Sequence, residues 1–331
     1  MTVSLRDIVG AEDVIRPHIR VTPVMEVDPR DFGLDAFAAS GGRLSLKLEG
    51  MQHSGSFKPR GAFASLLTPQ RETRKLVAVS GGNHGAAVAY AARRLELEAT
   101  IFVPNFAPAK KVEKIKSYGA EVRLVGDQIA ETFEAYEAYA AETGGRDLHP
   151  YAAFTTIVGQ GTLGLEWSSQ SPDLDMALVA IGGGGLIAGV AAALRAGPSV
   201  IGVEPSGARC AYEARKAGGP IEHPPVSIAA DSLGAPSIGA LNHEIIEDHV
   251  DEIALVEDDA IRAAQSALWS ICGVASEPGG ATSLAALTSG AVKPEPGSHV
   301  GVLVCGANVD LSTIAPVGAP VGASVSASVG A

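Results

Sequence analysis

Short apolar runs alternate with amphipathic stretches along most of the chain. LSLKLEG, around Lys47, reads as a strand leading into a loop. KLVAVS (75–80) reads as a buried strand, and AAVAYAARRLEL (86–97) after it has the apolar spacing of a helix. ATIFVP (99–104) is the next strand, AKKVEKIKSYG (109–119) an amphipathic helix stopped by Gly119, and AEVRLVG (120–126) a strand again. The same kind of run returns at MALVAIGGGG, SVIGVEP and HVGVLVCGAN. Parallel strands need crossover connections, usually helices, so this alternation predicts an α/β fold with parallel sheets.

A chain of 331 residues has room for roughly two domains. From Met176 to Leu194 no residue is charged, which is the length of a membrane span. Gly182 to Gly185 interrupt it, and four glycines would weaken a spanning helix, so a strand, a glycine loop and a buried helix are expected instead. The tail PVGAPVGASVSASVGA (316–331) has neither periodicity nor charge and is expected to be a disordered end.

A formal net charge of -12 repels phosphate backbones and argues against a nucleic-acid partner. Cys210, Cys272 and Cys305 are odd in number and form no CxxC pair, so neither a disulfide framework nor a structural zinc site is expected. That usage, with a charged N-terminus lacking an apolar signal-peptide core, points to the cytoplasm and away from a membrane. His53, His149, His223, His243, His249 and His299 show no ligand spacing, and the acidic run 244–262 reads as a solvated helix face and strand edge.

Four segments carry candidate chemistry. In HSGSFKPRGA (53–62), small residues crowd Lys58 beside Phe57. A lysine on a surface helix is usually just solvated, but one held in a partly apolar loop can lose its proton and form a Schiff base. SGGNHGAA (80–87) follows a strand and opens a helix, so its free N–H groups suit an anion such as a carboxylate; an N-cap by Ser80 or Asn83 is the plainer alternative. IGGGGLIAGV (181–190) can cradle a phosphate on its backbone. It also satisfies a dinucleotide fingerprint, Gly183-x-Gly185-x-x-Ala188, with Glu204 where a ribose-binding acid would sit. VLVCGANVD (302–310) ends a strand at Cys305, which alone reads as a small buried thiol.

Taken in order, Ser56-x-Lys58-x-Arg60-Gly61, Ser80-Gly81-Gly82-Asn83-His84, HPYAAFTTIVGQGT (149–162), Gly182–Gly185 and Cys305-Gly306-Ala307-Asn308 resemble the fold-type II pyridoxal phosphate (PLP) enzymes. The resemblance is to the threonine/serine dehydratase and serine racemase group in particular, and it runs from Leu5 to about Ile314. It implies a tryptophan synthase beta-like fold of two parallel-sheet α/β domains with PLP in the cleft between them. Residues 1–70 with 153–315 would form the larger domain and 71–152 a smaller inserted one, in a homodimer. By the same resemblance Lys58 would carry PLP, Gly182, Gly183, Gly184 and Gly185 would bind its phosphate, Asn83 its ring hydroxyl and Cys305 its pyridine nitrogen, with Phe57 against the ring. Ser80, Gly81, Asn83 and His84 would form the clamp for the substrate carboxylate, with Tyr151 close by. The implied reaction is α,β-elimination from threonine or serine, giving a 2-oxo acid and ammonia. A thiol is a neutral partner for the pyridine nitrogen, which suits prompt loss of a β-substituent.

Two departures from the group matter. The serine racemases have a Ser at the position of Gly81, and racemisation needs a second acid/base on that face, so elimination is favoured. The group's divalent-ion site falls on Glu204, Ala208 and Cys210, where a thiol replaces a hard oxygen ligand, so no metal site is assigned and Glu204 and Ala208 are weak candidates only. The loop AADSLGAPSIGAL (229–241) gives no side-chain preference, which leaves bulkier substrates open: 3-hydroxyaspartate, phenylserine or a ring-opened hydroxyectoine product. An amino-acid racemase, a nicotinamide dehydrogenase and a non-catalytic ligand sensor remain as alternatives.

Overall fold

The apolar runs become strands that divide between two sheets. The computed structural model describes residues 2–67 and 75–314; the expected tail 316–331 and the expected domain boundary near residue 70 lie outside the described residues. The strands are β1 (Val24–Val27), β2 (Arg43–Lys47), β3 (Lys75–Val79), β4 (Glu98–Val103), β5 (Glu121–Leu124), β6 (Arg146–Asp147), β7 (Met176–Ala180), β8 (Ser199–Pro205), β9 (Glu252–Val256) and β10 (His299–Leu303). One sheet has the order β1-β2-β10-β7-β8-β9 and the other β5-β4-β3-β6. All neighbours are parallel except β1 and β2. The two parallel-sheet α/β layers expected from the sequence are present, with one antiparallel strand at this edge. Residues 28–42 hold only a single-turn 3-10 segment (Pro29–Phe32) and a five-residue helix (Asp35–Ala39), and the chain reverses instead of crossing over.

Strand order fixes where a ligand can sit. In the larger sheet the chain moves from β7 outward to β8 and β9, then returns to the other side of β7 as β10. In the smaller sheet it moves from β3 outward to β4 and β5, then returns to the other side of β3 as β6. Each reversal opens a crevice at the carboxyl ends of the strands. The loops that leave those ends are Gly182–Gly185 after β7, Cys305–Asn308 after β10 and Ser80–Gly82 after β3. The uncharged stretch 176–194 is β7, the glycine loop and the helix Gly185–Leu194. Among the described residues no helix is long and apolar enough to cross a membrane.

The helix Lys58–Leu67 is pinned from below by charge. Arg60 and Glu49 are both 0% exposed. The Arg60 Nε and Nη2 donate to the two Glu49 oxygens at 2.6 and 3.1 Å, and Nη2 also lies 3.1 Å from Glu166 Oε1. Lys47, equally buried at the end of β2, donates to Glu166 Oε1 at 2.6 Å, to the Thr22 carbonyl at 2.7 Å and to Gln170 Oε1 at 2.7 Å. The Thr22 hydroxyl donates to Glu49 at 2.7 Å and its N–H to Glu166 at 2.9 Å. Burial alone would push Glu166 up, but Arg60 and Lys47 bring it down to about 2. The half-buried Arg16 also reaches Glu166 Oε2 at 3.0 Å, so three cations meet two carboxylates with nearly every donor satisfied, the arrangement in which burying charge is tolerable.

Breaking this set strands charge where water cannot reach. Arg60→Met is expected to lower the unfolding free energy by about 3–5 kcal/mol. The check is the urea midpoint at constant m value; a midpoint equal to the wild type would show that the cluster anchors nothing.

Candidate active site

After β2 the chain makes two turns that deliver Lys58. Ser54 and Gly55 both take left-handed backbone angles (φ 57° and 79°), Ser56 then forms an antiparallel bridge with Gly306, and the Phe57 N–H donates to the Cys305 carbonyl at 3.2 Å. Lys58 follows as the first residue of its helix, beside the end of β10. Its Nζ donates to the Pro150 carbonyl at 2.8 Å and lies 5.0 Å from the centre of the Phe57 ring. The side chain is only half-buried by area, yet its ammonium is enclosed. Desolvation lowers its pKa to about 8, against the opposing pull of Glu277.

Across from it, the glycine loop is an anion cradle. Gly184 has φ 86° and serves as N-cap of the helix Gly185–Leu194, whose first N–H groups have no intrahelical acceptor. A Cβ at Gly183 would strike the Tyr151 ring at 2.3 Å, and one at Gly185 the Tyr151 carbonyl oxygen at 2.4 Å. The buried Asn242 holds this arrangement by donating to the Gly183 carbonyl at 2.6 Å and the Tyr151 carbonyl at 3.1 Å. Cys305 is buried; its thiol donates to the Gly279 carbonyl at 3.6 Å, and burial pushes its pKa far above the usual range, so it stays neutral.

The loop after β3 behaves differently from a simple cap. Gly82, not Ser80 or Asn83, is the N-cap, and the Gly82 N–H donates to Ser80 Oγ at 3.1 Å. Asn83 instead donates from Nδ2 to Glu277 Oε1 at 2.5 Å and accepts at Oδ1 from Asn308 Nδ2 at 2.6 Å. His84 is turned inward: its Nε2 donates to the Leu148 carbonyl at 2.7 Å, and burial drops its pKa to about 3. The imidazole is therefore neutral, and the anion-binding capacity of this loop lies in its backbone N–H groups. A Cβ at Gly81 would meet Val103 at 3.0 Å and Ala107 at 3.1 Å.

Glu204 is engaged elsewhere. Its oxygens accept from the Ala211 and Tyr212 N–H groups at 2.9 and 2.8 Å, capping the helix Cys210–Ala217, and burial raises it to about 8. The Cys210 thiol donates to the Gly182 carbonyl at 3.4 Å. Among the described residues no group of three or more His, Cys, Asp or Glu side chains could hold a metal ion; of the weak candidates, Glu204 has both oxygens engaged by the helix start, and Ala208 could offer only its backbone carbonyl. The structure adds residues that the sequence did not single out: Glu277, Asn242, Lys114 and Gln160, whose buried amide has no partner among the described residues. Glu277 had one local signal, its place directly before Pro278-Gly279-Gly280 at a helix start; the others had none.

An amine of lowered pKa facing a backbone anion cradle, with a neutral thiol at the adjoining strand end, defines an enzyme that holds a phosphorylated carbonyl compound. At residues 183 and 185 the missing Cβ lets Tyr151 pack directly on the loop; the free N–H groups at the helix start suit a phosphate and the enclosed Lys58 amine suits an aldehyde, the two ends of PLP. Comparison with known proteins agrees. The family model described as "Pyridoxal-phosphate dependent enzyme" matches residues 15–306. A phenylserine dehydratase from Ralstonia pickettii is 38% identical over 317 residues, covering 94% of this chain and 95% of that protein. Maize serine racemase superposes with a TM-score of 0.87 at 36% identity over 95% of this chain and 96% of its own. The threonine deaminase of T.th. gives 0.85 at 36% identity over 94% and 100%. The chain belongs to the pyridoxal-phosphate dependent enzymes, in the fold-type II group, and its cofactor is PLP. A nicotinamide dehydrogenase is thereby set aside.

Gly185→Ala places a methyl against backbone that cannot swing away. Overpacking of about 1–3 kcal/mol is expected, roughly a tenfold or greater loss of PLP affinity by absorbance titration. Gly197→Ala, whose Cβ finds its nearest neighbour at 3.5 Å, is the control and should bind PLP as the wild type does. Equal affinity in the two variants would show that the cradle is not the phosphate site.

Proposed function

We propose that this enzyme is a dehydratase that converts threonine or serine to a 2-oxo acid and ammonia by α,β-elimination. The observation that carries this reading is the one-sidedness of the proton chemistry. Lys58 has a pKa of about 8, suited to exchanging protons near neutrality. The loop after β3 offers no counterpart: residue 81 is glycine, its Cβ direction is closed by Val103 and Ala107, and His84 is neutral and tied to Leu148. Elimination needs one base at the α-carbon; racemisation needs two, on opposite faces.

Bound PLP supplies an electron sink for the substrate's α-carbon. The chain's own residues would do the rest. The N–H groups of Gly182, Gly183, Gly184 and Gly185 would hold the phosphate, and Phe57 would pack against the ring. Asn83 Nδ2 would donate to the ring oxygen, and the Cys305 thiol would face the pyridine nitrogen without transferring charge to it. The backbone around Ser80, Gly81, Asn83 and His84 would bind the substrate carboxylate, with Tyr151 bounding the pocket. Neutral Lys58 Nζ would take the α-proton and supply a proton to the β-hydroxyl, which would leave as water. The released enamine would then take up water and give the oxo acid and ammonia.

The domain division at 1–70 with 153–315, and 71–152, is part of this reading; it is supported by the membership of the two sheets. Homodimeric assembly and a cytoplasmic location are carried over from the resemblance and from cysteine usage. A second reading, a bulkier substrate such as phenylserine, is favoured by the relative from Ralstonia pickettii.

The test is a 2-oxo acid assay of PLP-loaded protein with threonine, serine, the stereoisomers of 3-hydroxyaspartate, and phenylserine. Oxo acid formation from threonine or serine, abolished together with the visible colour in Lys58→Ala, is the expected result. Oxo acid from phenylserine alone would reassign the substrate. D-serine appearing faster than pyruvate would overturn the elimination reading, and turnover of none of them by yellow protein would leave a ligand sensor.

A further inference from the structure

We propose that Glu277 is a positioning residue that aligns the cofactor ring through Asn83, and that Lys111 and Lys114 together bias its charge from the other side of the cleft. The inference rests on the reading of Asn83 as the residue that meets the ring oxygen; it does not depend on which amino acid is the substrate.

The geometry is a directed chain of hydrogen bonds. Lys114, on the helix Ala109–Ser117, donates to Asn308 Oδ1. Lysine has donors only, so the Asn308 amide must present its oxygen to Lys114 and its Nδ2 to Asn83. Asn308 Nδ2 donates to Asn83 Oδ1 at 2.6 Å and to the Ser54 carbonyl at 2.9 Å. With Oδ1 turned to Asn308, the amide orientation of Asn83 is fixed, and its Nδ2 gives one hydrogen to Glu277 Oε1 at 2.5 Å. The second Nδ2 hydrogen is what remains for a ligand. A cation at one end and a carboxyl at the other therefore fix both amides, and Asn83 is set to donate to the ring oxygen rather than accept from it.

Glu277 has no other evident task. It is 3% exposed and occupies the N-cap position of the helix Pro278–Thr288 without capping it through its side chain. Its Oε2 is buried and has no hydrogen-bond partner among the described residues. The backbone makes room for it at Gly306, where a Cβ would lie 2.0 Å from Glu277 Oε1. The groups that face it are Lys58, Lys111 and Lys114 as cations and the neutral Cys305 thiol. Burial raises its pKa to about 7, and the Asn83 bond, Lys111, Lys114 and Lys58 oppose that rise. Glu277 thus changes charge near neutrality, beside the amide that meets the ring. Lys111 and Lys114 come from the helix after β4, whereas Glu277 and Asn308 come from segments flanking β10, so the relation of the two sheets enters its charge state.

The test reads the spectrum of bound PLP, not turnover. Wild type, Glu277→Gln, Lys114→Met and Lys114→Arg are loaded with PLP, the content is measured after denaturation, and visible spectra are taken from about pH 5.5 to about pH 9. Wild type is expected to show a spectral step near pH 7 that Glu277→Gln lacks at equal PLP content. Removing the Lys114 cation withdraws one of the influences that lowers the Glu277 pKa, so Lys114→Met should move the step upward, by about one pH unit; Lys114→Arg should leave it near the wild-type position. An unchanged step in Glu277→Gln, or a step that stays put or falls in Lys114→Met, would overturn the proposal. If Glu277→Gln fails to fold, Asn308→Ala cuts the same chain and must also displace the step. Colourless protein in every variant and the wild type would instead count against Lys58 and the cofactor site.

Discussion

Arg60 is the physical constraint on which the site depends. Its guanidinium lies two residues along the helix from Lys58 and is wholly buried between Glu49 and Glu166. A buried guanidinium has no solvent alternative, so the helix can start in one place and one rotation only. That start sets the loop before it: Ser56 pairs with Gly306 and Phe57 bonds to Cys305. The reactive amine is thus fixed relative to the end of β10 by ionic contacts that never touch it. Hydrophobic packing alone would tolerate small rotations of this helix; fork-shaped pairing to two carboxylates does not.

The contacts across the cleft have the opposite character. Lys110 pairs with Asp310, Lys111 with Asp231 and Lys114 with Asn308, all from one helix of the smaller sheet's layer to the short helix Ala230–Leu233 and the segment after β10. The Lys110–Asp310 pair is exposed, and such pairs contribute little each and are screened by salt. The molecule therefore anchors its amine with buried charge and joins its two layers both by these polar contacts and by the buried Asn83–Glu277 hydrogen bond. None of these contacts includes Arg60, Glu49 or Glu166, so the anchor of the helix is independent of them.

What could be read from the sequence was local in origin. The tetraglycine run announces a close approach because four glycines after an apolar run have few other uses. The strand runs at 75–80, 99–104 and 176–180 stand out because both faces are buried. Lys58 was legible from its small neighbours. Glu166 and Glu277 were not, because a carboxylate declares itself functional only by its partners, and these lie far away in sequence: Glu166 is 106 residues from Arg60, Glu277 is 194 from Asn83; Glu49 is only 11 residues from Arg60, but nothing local marks the pair. His84 shows the converse. Its place in a motif suggested contact with substrate, yet burial and the Leu148 carbonyl turn the ring inward. The antiparallel β1 edge was hidden because nothing in a four-residue strand encodes direction.

The distribution of charge around the site is itself a chemical choice. A carboxylate facing the end of β10 would draw a proton onto a pyridine nitrogen and delocalise negative charge deep into a ring. The group at that strand end is instead the neutral Cys305 thiol, and the buried Glu277 carboxyl packs beside it against Gly306 while accepting from Asn83. On the proposed placement of PLP, the thiol and not the carboxyl would meet the pyridine nitrogen. On that reading a weak partner at the nitrogen would favour prompt expulsion of a group already on the β-carbon. A glycine at residue 81, closed in by Val103 and Ala107, would leave no side-chain acid there to return a proton from the other face. The neutral thiol and the missing side chain at residue 81 are separate features of the chain, and both fit the proposed elimination.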